Sequence, residues 1–221
     1  MKKISFVFLA VGILAGVALP ASAATYSFRF ASRGLVSSTP APVIAATTWD
    51  ASGKSATTTL SADLLTATVP ANKYARATVG KSTGKWYWEV IPNGDAGAAT
   101  NGMIAGIMKS PAYDSYVGAS TDGVGPMSWV SGNGYLCKNG CTGGAAYTWA
   151  NFNNGNVLGF ALDADAQTLK FYVGNTLRQT IAIPAGTWYP AVGGQYAGSY
   201  MGKFSASSFS YTPPAGYAPL E

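Results

Sequence analysis

The chain has 221 residues, with 14 Lys and Arg against 9 Asp and Glu, no histidine and two cysteines. Hydrophobic residues make up 48% of it, too many for an intrinsically disordered chain. Charged residues make up 10%, against ~25% in ordinary globular domains, so Ser, Thr, Asn, Gly and Tyr must cover the surface. The basic residues are scattered along the chain, not gathered into a phosphate-facing stripe, which argues against nucleic acid as a partner. Without histidine, Ser–His and Cys–His nucleophilic mechanisms are excluded.

The chain opens with Lys2 and Lys3, an apolar run from Ile4 to Leu19, and Pro20-Ala21-Ser22-Ala23. That is the layout of a secretory signal peptide, and the apolar run is shorter than the ~20 residues a membrane span needs. Cleavage after Ala23 is expected, leaving no membrane span in a protein that is secreted or held in a bacterial periplasm or cell envelope. Residues 24–46 form an N-terminal extension. In it Tyr26, Phe28 and Phe30 alternate with Ser27 and Arg29, as in an edge strand, and Ser37-Ser-Thr-Pro40-Ala-Pro42 reads as a stiff linker.

From Thr47 onward the pattern is of short strands separated by Gly, Asn, Asp, Ser or Pro. Strands are expected at 57–60, 64–69, 74–79, 85–91, 103–108, 116–119, 128–130, 134–137, 157–163, 169–173, 177–183, 188–193, 200–204 and 209–211. No stretch sustains a helical period, and the 27 glycines would weaken any helix. Many short strands with frequent turns point to an all-β sandwich or barrel. In 85–91 one face carries Trp86, Trp88 and Val90 and the other Tyr87, Glu89 and Ile91, the composition of a central strand covered on both sides. A glutamate buried there needs a charged or hydrogen-bonding partner.

Cys137 and Cys141 stand in Cys-Lys-Asn-Gly-Cys. In an oxidising compartment such a pair is expected to form a small disulfide loop that fixes one turn. The alternatives are free thiols or a metal site, which needs about four ligands. Asp163 and Asp165 are a close carboxylate pair. A Ca²⁺ site would need six to eight oxygens, and the preferred reading is a turn organised by Asx-type hydrogen bonds. A glycosidase needs two carboxylates facing each other across a cleft, yet Glu89 is the only glutamate before Glu221. No enzymatic activity, metal or cofactor is expected. Lys81, Lys85, Lys138 and Lys203 read as solvated surface charge.

Arg76-Ala-Thr-Val-Gly80-Lys-Ser-Thr-Gly84-Lys-Trp-Tyr-Trp-Glu-Val90 resembles the opening strands of SPRY domains. So does the hairpin from Asp163 through Leu169-Lys-Phe171-Tyr-Val173-Gly-Asn175, where the family usually has Phe-Tyr-x-Asn-Gly. Pro184-Ala-Gly-Thr-Trp188-Tyr-Pro190-Ala-Val192 is similar to a further family strand. Thr48-Trp49-Asp50 and the closing Pro213-Pro-Ala-Gly216-Tyr-Ala-Pro219-Leu220 resemble bacterial and phage-type members. The resemblance covers residues 47–220. It implies a two-sheet antiparallel β-sandwich of the concanavalin A-like lectin/glucanase class, with no fixed cofactor or catalytic set, that recognises proteins through loops on one rim.

The departure from the family is the middle loop, Asp122 to Phe152, which is rich in Gly and aromatics and holds both cysteines. Tyr113, Trp129 and Phe152 lie in or beside the loops. The residues expected to bind ligand are Tyr116, Tyr135, Tyr147, Trp149, Tyr196 and Tyr200, in loops around 114–118, 132–149 and 195–200. Rigid aromatics set among Ser, Gly and Asn supply contact area at low entropic cost. The expected partner is a protein. A glycan is the alternative, because lectins share the scaffold and Trp or Tyr can stack on sugar rings. A third reading is surface assembly, with residues 24–46 donating a strand to a neighbour.

Overall fold

A computed structural model describes residues 46–94, 102–109, 114–128, 133–141, 147–150 and 152–221, with only the backbone at Asn133 and 147–150. The expected signal peptide and nearly all of the extension lie outside the described residues. The strands are β1 Trp49–Lys54, β2 Thr59–Leu60, β3 Thr66–Val69, β4 Ala75–Ala77, β5 Lys85–Gly94, β6 Ala105–Met108, β7 Gly123–Met127 and β8 Asn133–Lys138. They continue with β9 Tyr147–Ala150, β10 Leu158–Asp163, β11 Thr168–Val173, β12 Thr176–Ala182, β13 Tyr189–Val192, β14 Gly198–Lys203 and β15 Ala218–Pro219. Among the described residues the single helical element is the 3-10 turn Ala206–Ser208, and no helix is long and apolar enough to cross a membrane.

Two sheets result. The first has seven strands in the order β1-β4-β13-β6-β7-β8-β9, and the second runs β12-β11-β10-β5-β14-β3-β2. All pairings are antiparallel except that β15 lies parallel to β5 at Trp86 and Tyr87. The inward faces form one core. In it Trp88 stacks on Phe160 at 5.4 Å and 12°, and Phe160 meets Phe171 at 5.4 Å. Trp49 closes one end of this core, edge-on to Phe204, its indole N–H donating to the Leu65 carbonyl at 2.9 Å. Thr47 donates to the Leu220 carbonyl and the Leu220 amide to that of Phe204. The two ends of the sandwich are thereby tied together.

The expectation for β5 is met on both faces. Trp88 and Val90 point into the core, while Tyr87 and a fully buried Glu89 face outward beneath the C-terminal segment. There the Ser210 and Tyr211 amides donate to Glu89 Oε2 and Oε1 at 2.7 and 2.9 Å, and the Tyr87 hydroxyl donates to Oε1 at 3.1 Å. Phe209 sits edge-on to Tyr87 at 5.0 Å. Segment 205–217 is thus a strap over the second sheet, pinned by one carboxylate. Burial and the adjacent Glu89 charge raise the Tyr87 phenol well above its ordinary pKa.

Several elements differ from expectation. Residues 116–119 and 209–211 are not strands; their apolar side chains pack onto sheet faces, which needs no ladder. Ser128 lies outside any strand, and residues 129–130 lie outside the described residues. The middle loop carries the strand expected at 134–137, as β8, and also β7 and β9. β7, Gly-Val-Gly-Pro-Met, is buried along its whole length, although its Gly and Pro read as a loop in the sequence. β1 and β15 also form where no strand was expected.

The Asp163 hairpin is organised as a turn. Asp163 Oδ1 accepts the Ala166 amide at 2.9 Å, its Oδ2 lies 3.1 Å from Lys85 Nζ, and Asp165 Oδ1 accepts the Gly84 amide at 3.0 Å. The Ala166 hydrogen bond, joined by Lys85, holds the Asp163 carboxyl below the ordinary carboxylate range against the opposing effect of burial. Asp50 is lowered too: burial raises it, but the Ser52 hydrogen bonds and Arg76 outweigh that. Carboxyls depressed in the folded state take up protons more readily when unfolded. Their stabilisation is therefore complete above the unfolded pKa near 4 and lost as pH falls through the folded values. The urea midpoint is expected to drop between about pH 4 and pH 2, less steeply in Asp163→Asn; an unchanged slope in that variant would remove Asp163 from the account.

Candidate functional site

Because neighbouring strands run antiparallel, the loops gather at two rims. The ends of β3, β5 and β13 and the starts of β4, β6 and β14 share the first. Here four loops are stitched by three backbone hydrogen bonds: the Asn72 amide to the Gly194 carbonyl at 2.8 Å, Gln195 to Gly102 at 2.9 Å, and Gly102 to Ser128 at 2.7 Å. The stitching demands glycine. At Gly193, with φ +135°, a Cβ would strike the Lys73 carbonyl, and at Gly194 it would lie 2.9 Å from Met103 Cα. On this platform stands Tyr196, 51% exposed, its ring lying over Gly102, where a Cβ would be 3.0 Å from Cε2.

The same rim carries an ionic tie. Asp114 accepts from the Ser55 hydroxyl and pairs with Lys73 Nζ at 2.6 Å. The Lys73 hydrogen bond, then that of Ser55, lowers the Asp114 carboxyl. From this anchor residues 114–122 run across the outer face of the first sheet to the opposite rim, where the Lys109 amide donates to the Asp122 carbonyl at 2.7 Å.

That segment covers a second, smaller apolar cluster. Val117 packs with Tyr74, Ile104, Met108, Met127, Cys137 and Ala191, flanked by Tyr116, Tyr135 and Cys141. Cys137 and Cys141 are disulfide-bonded, at an S–S distance of 1.99 Å. The bridged turn holds the covering segment, since Gly140 donates to the Gly118 carbonyl at 2.8 Å and Asn139 to that of Ser120 at 3.3 Å. Gly118, at φ +85°, admits this approach, because a Cβ there would meet the Cys137 backbone.

The residues expected to bind ligand therefore separate. Tyr116 and Tyr135 come together beside the disulfide, each partly buried in the small cluster. Among the described residues, Tyr196 alone of the candidate aromatics stands out at the first rim. Tyr200 corrects the expectation: it is fully buried. β14 begins two residues before it, at Gly198, and the alternation sends Tyr200 inward against Ala67 and Met201 outward. Phe152 is likewise a core residue, 1% exposed. Tyr147 and Trp149 lie on β9, which pairs with β8, but their side chains, like Tyr113 and Trp129, lie outside the described residues. No group of three or more Asp, Glu or Cys among the described residues is placed to hold a metal ion.

Lys81 and Lys203 are not solvated charges but partly buried and partnered. Lys81 Nζ sits 3.5 Å above the Trp86 ring, and burial lowers its pKa. Lys203 donates to Ser210 Oγ at 2.7 Å, with Nζ 4.0 Å from Glu89 Oε2. Lys81 stands five residues before Trp86 and meets it only across the turn at Gly84, and Lys203 depends on a partner seven residues away along the strap.

No protein-family model matches the chain, and no curated protein matches it. Solved structures do. It is similar to the SPRY domain of human HERC1, at 17% identity and a TM-score of 0.61 over 74% of this chain and 99% of that one. It is similar to the PSpry domain of TRIM65, at 14% identity and 0.56, over 71% and 90%. Stonustoxin matches at 16% identity and 0.52, over 71% of this chain and 28% of its own. With two antiparallel sheets in agreement, the chain has a SPRY-like β-sandwich fold.

Proposed function

We propose that this chain is an exported, non-catalytic binding module that recognises a protein partner through the first rim, with Tyr196 as its anchor. Residues 1–23 are then the signal peptide removed on export, residues 24–46 an extension, and 47–220 the binding domain. The observation that carries the reading is Tyr196: a large aromatic left half-exposed on a turn that three backbone hydrogen bonds already hold in place. A preorganised aromatic loses little entropy on binding, and such residues dominate protein interfaces. The SPRY-like fold supports the same class of function, and the disulfide suits an oxidising compartment.

The test is capture from cell-envelope extract and culture medium on the immobilised mature chain. Tyr196→Ala is expected to weaken the captured complex by about tenfold or more, while Met201→Ala, an exposed apolar side chain on the outer face of the second sheet, leaves it unchanged. Equal capture by both variants would sink the first-rim reading. Saturable glycan binding lost in Trp149→Ala would replace the protein partner with a sugar. An intact N-terminal Met1 on the exported protein would remove the signal-peptide assignment.

A further inference from the structure

We infer that the opposite rim holds a second, separate binding site, for the carboxylates of an acidic peptide segment. Its centre is Trp188, just before β13. Lys81 follows β4 and Lys109 follows β6, the two neighbours of β13, so they flank Trp188 from either side. Lys81 and Trp188 exchange backbone hydrogen bonds of 2.9 Å in both directions, and Tyr189 pairs with Met108. The two lysines therefore stand two strand spacings apart, roughly 10 Å.

Both ammonium groups rest on aromatic rings. Lys81 Nζ is 3.5 Å from the centroid of the Trp86 ring, and Lys109 Nζ is 5.0 Å from that of Trp188 and 3.1 Å from the Ala185 carbonyl. The ion pairs among the described residues use Lys73, Arg76, Lys85 and Lys203. Among the described residues, Lys81 and Lys109 have no carboxylate partner. Of the nearby carboxylates, Asp163 is engaged by Lys85 and the Ala166 amide and Asp165 by the Gly84 amide, while Asp122, whose backbone carbonyl accepts the Lys109 amide, forms no ion pair with Lys109. An ammonium that has exchanged part of its water for an indole face, with no counter-charge, gains most from an anion brought to it.

The floor around them is kept low by glycine. A Cβ on Gly84 would lie 3.0 Å from Trp86 Nε1, and one on Gly186 3.0 Å from Lys109 Cε. The chemistry selects carboxylates. The amides of Lys81, Trp188 and Lys109 are all spent on neighbouring carbonyls, so no nest of free N–H groups awaits a phosphate, and lysines act as flexible point charges, not planar forks. Their separation falls between side chains two and four residues apart on one face of an extended strand, roughly 7 and 13 Å, both within reach of flexible lysines.

A fluorescein-labelled oligoglutamate peptide titrated into the mature chain at low ionic strength tests this, read by polarisation and by tryptophan emission. Lys81→Met and Lys109→Met keep the aliphatic stems on the indoles. Each is expected to weaken binding about fivefold, and the pair together roughly 25-fold, with Lys→Arg at both positions retaining it. Lys54→Met, which makes the same change in net charge, should alter affinity by less than about twofold, and Tyr196→Ala should not alter it. Absence of binding to the wild-type chain overturns the proposal. So does an equal loss in Lys54→Met or in Tyr196→Ala, or saturation by oligogalacturonate with none by oligoglutamate. Because Tyr196→Ala is read in the same titration, failure at this rim is distinct from failure at the first.

Discussion

Glu89→Ala is expected to destabilise the protein by about 3–5 kcal/mol, the range for removing one member of a buried charged network. The carboxylate is fully buried and accepts the Ser210 and Tyr211 amides and the Tyr87 hydroxyl. Alanine leaves those three donors without an acceptor, and Lys203 loses the opposite charge beside it. Each stranded donor costs about 1–3 kcal/mol if it stays dry, so strap 205–217 should lift to reach water. The melting temperature should fall by roughly 10 °C or more. Proteolysis under native conditions should cut within 205–217 well before the sandwich. Glu89→Gln fills the same space and keeps one acceptor, so its cost should be smaller, about 2 kcal/mol. If Glu89→Ala unfolds within 1 kcal/mol of wild type, the strap is held by something else.

Gly106→Ala should cost about 3 kcal/mol, a large effect for one methyl group. The pairings Ile107 with Val124 and Ile104 with Met127 put Gly106 across from Gly125. A Cβ on Gly106 would fall on the Val124 carbonyl oxygen and 2.6 Å from Gly125 Cα. Those atoms are backbone in the middle of a sheet and cannot rotate away, so β6 and β7 would have to part. Gly155→Ala is the comparison. Its φ is +77° but nothing lies within 4 Å of the added methyl, so it carries only the left-handed conformational cost of about 1 kcal/mol. Similar midpoints for the two in urea would show that β6 and β7 tolerate separation, and that the glycine pair is not what closes them.

The parts of the fold that were legible in the sequence are those where local pattern and final environment agree. β10 and β11 alternate or run apolar on either side of an Asp-rich turn, and they pair as expected from Leu158 with Val173 to Asp163 with Thr168. In β5 the two apolar faces announced a strand covered on both sides. β7 was illegible because its glycines are there for close approach to β6, a reason that lies on another strand. Residues 116–119 and 209–211 have strand composition because they cover sheet faces, which selects the same apolar residues without any ladder.

The candidate site divides along the same line. Residue types settled the all-β class, the turn role of Asp163 and the pairing of two cysteines four residues apart, since each depends on neighbours in the chain. Which aromatics are available depended on register. Pairing Tyr200 with Ala67 and Met201 with Thr66 puts Tyr200 in the core and Met201 on the surface, because strand side chains alternate with period two. Tyr196 is exposed because Gly102, Gly194 and Ser128 meet beneath it, and Lys81 and Lys109 flank Trp188 because β4 and β6 both border β13. Such placements come from long-range hydrogen bonding and the order of strands in the sheet. Only the tertiary structure could decide them.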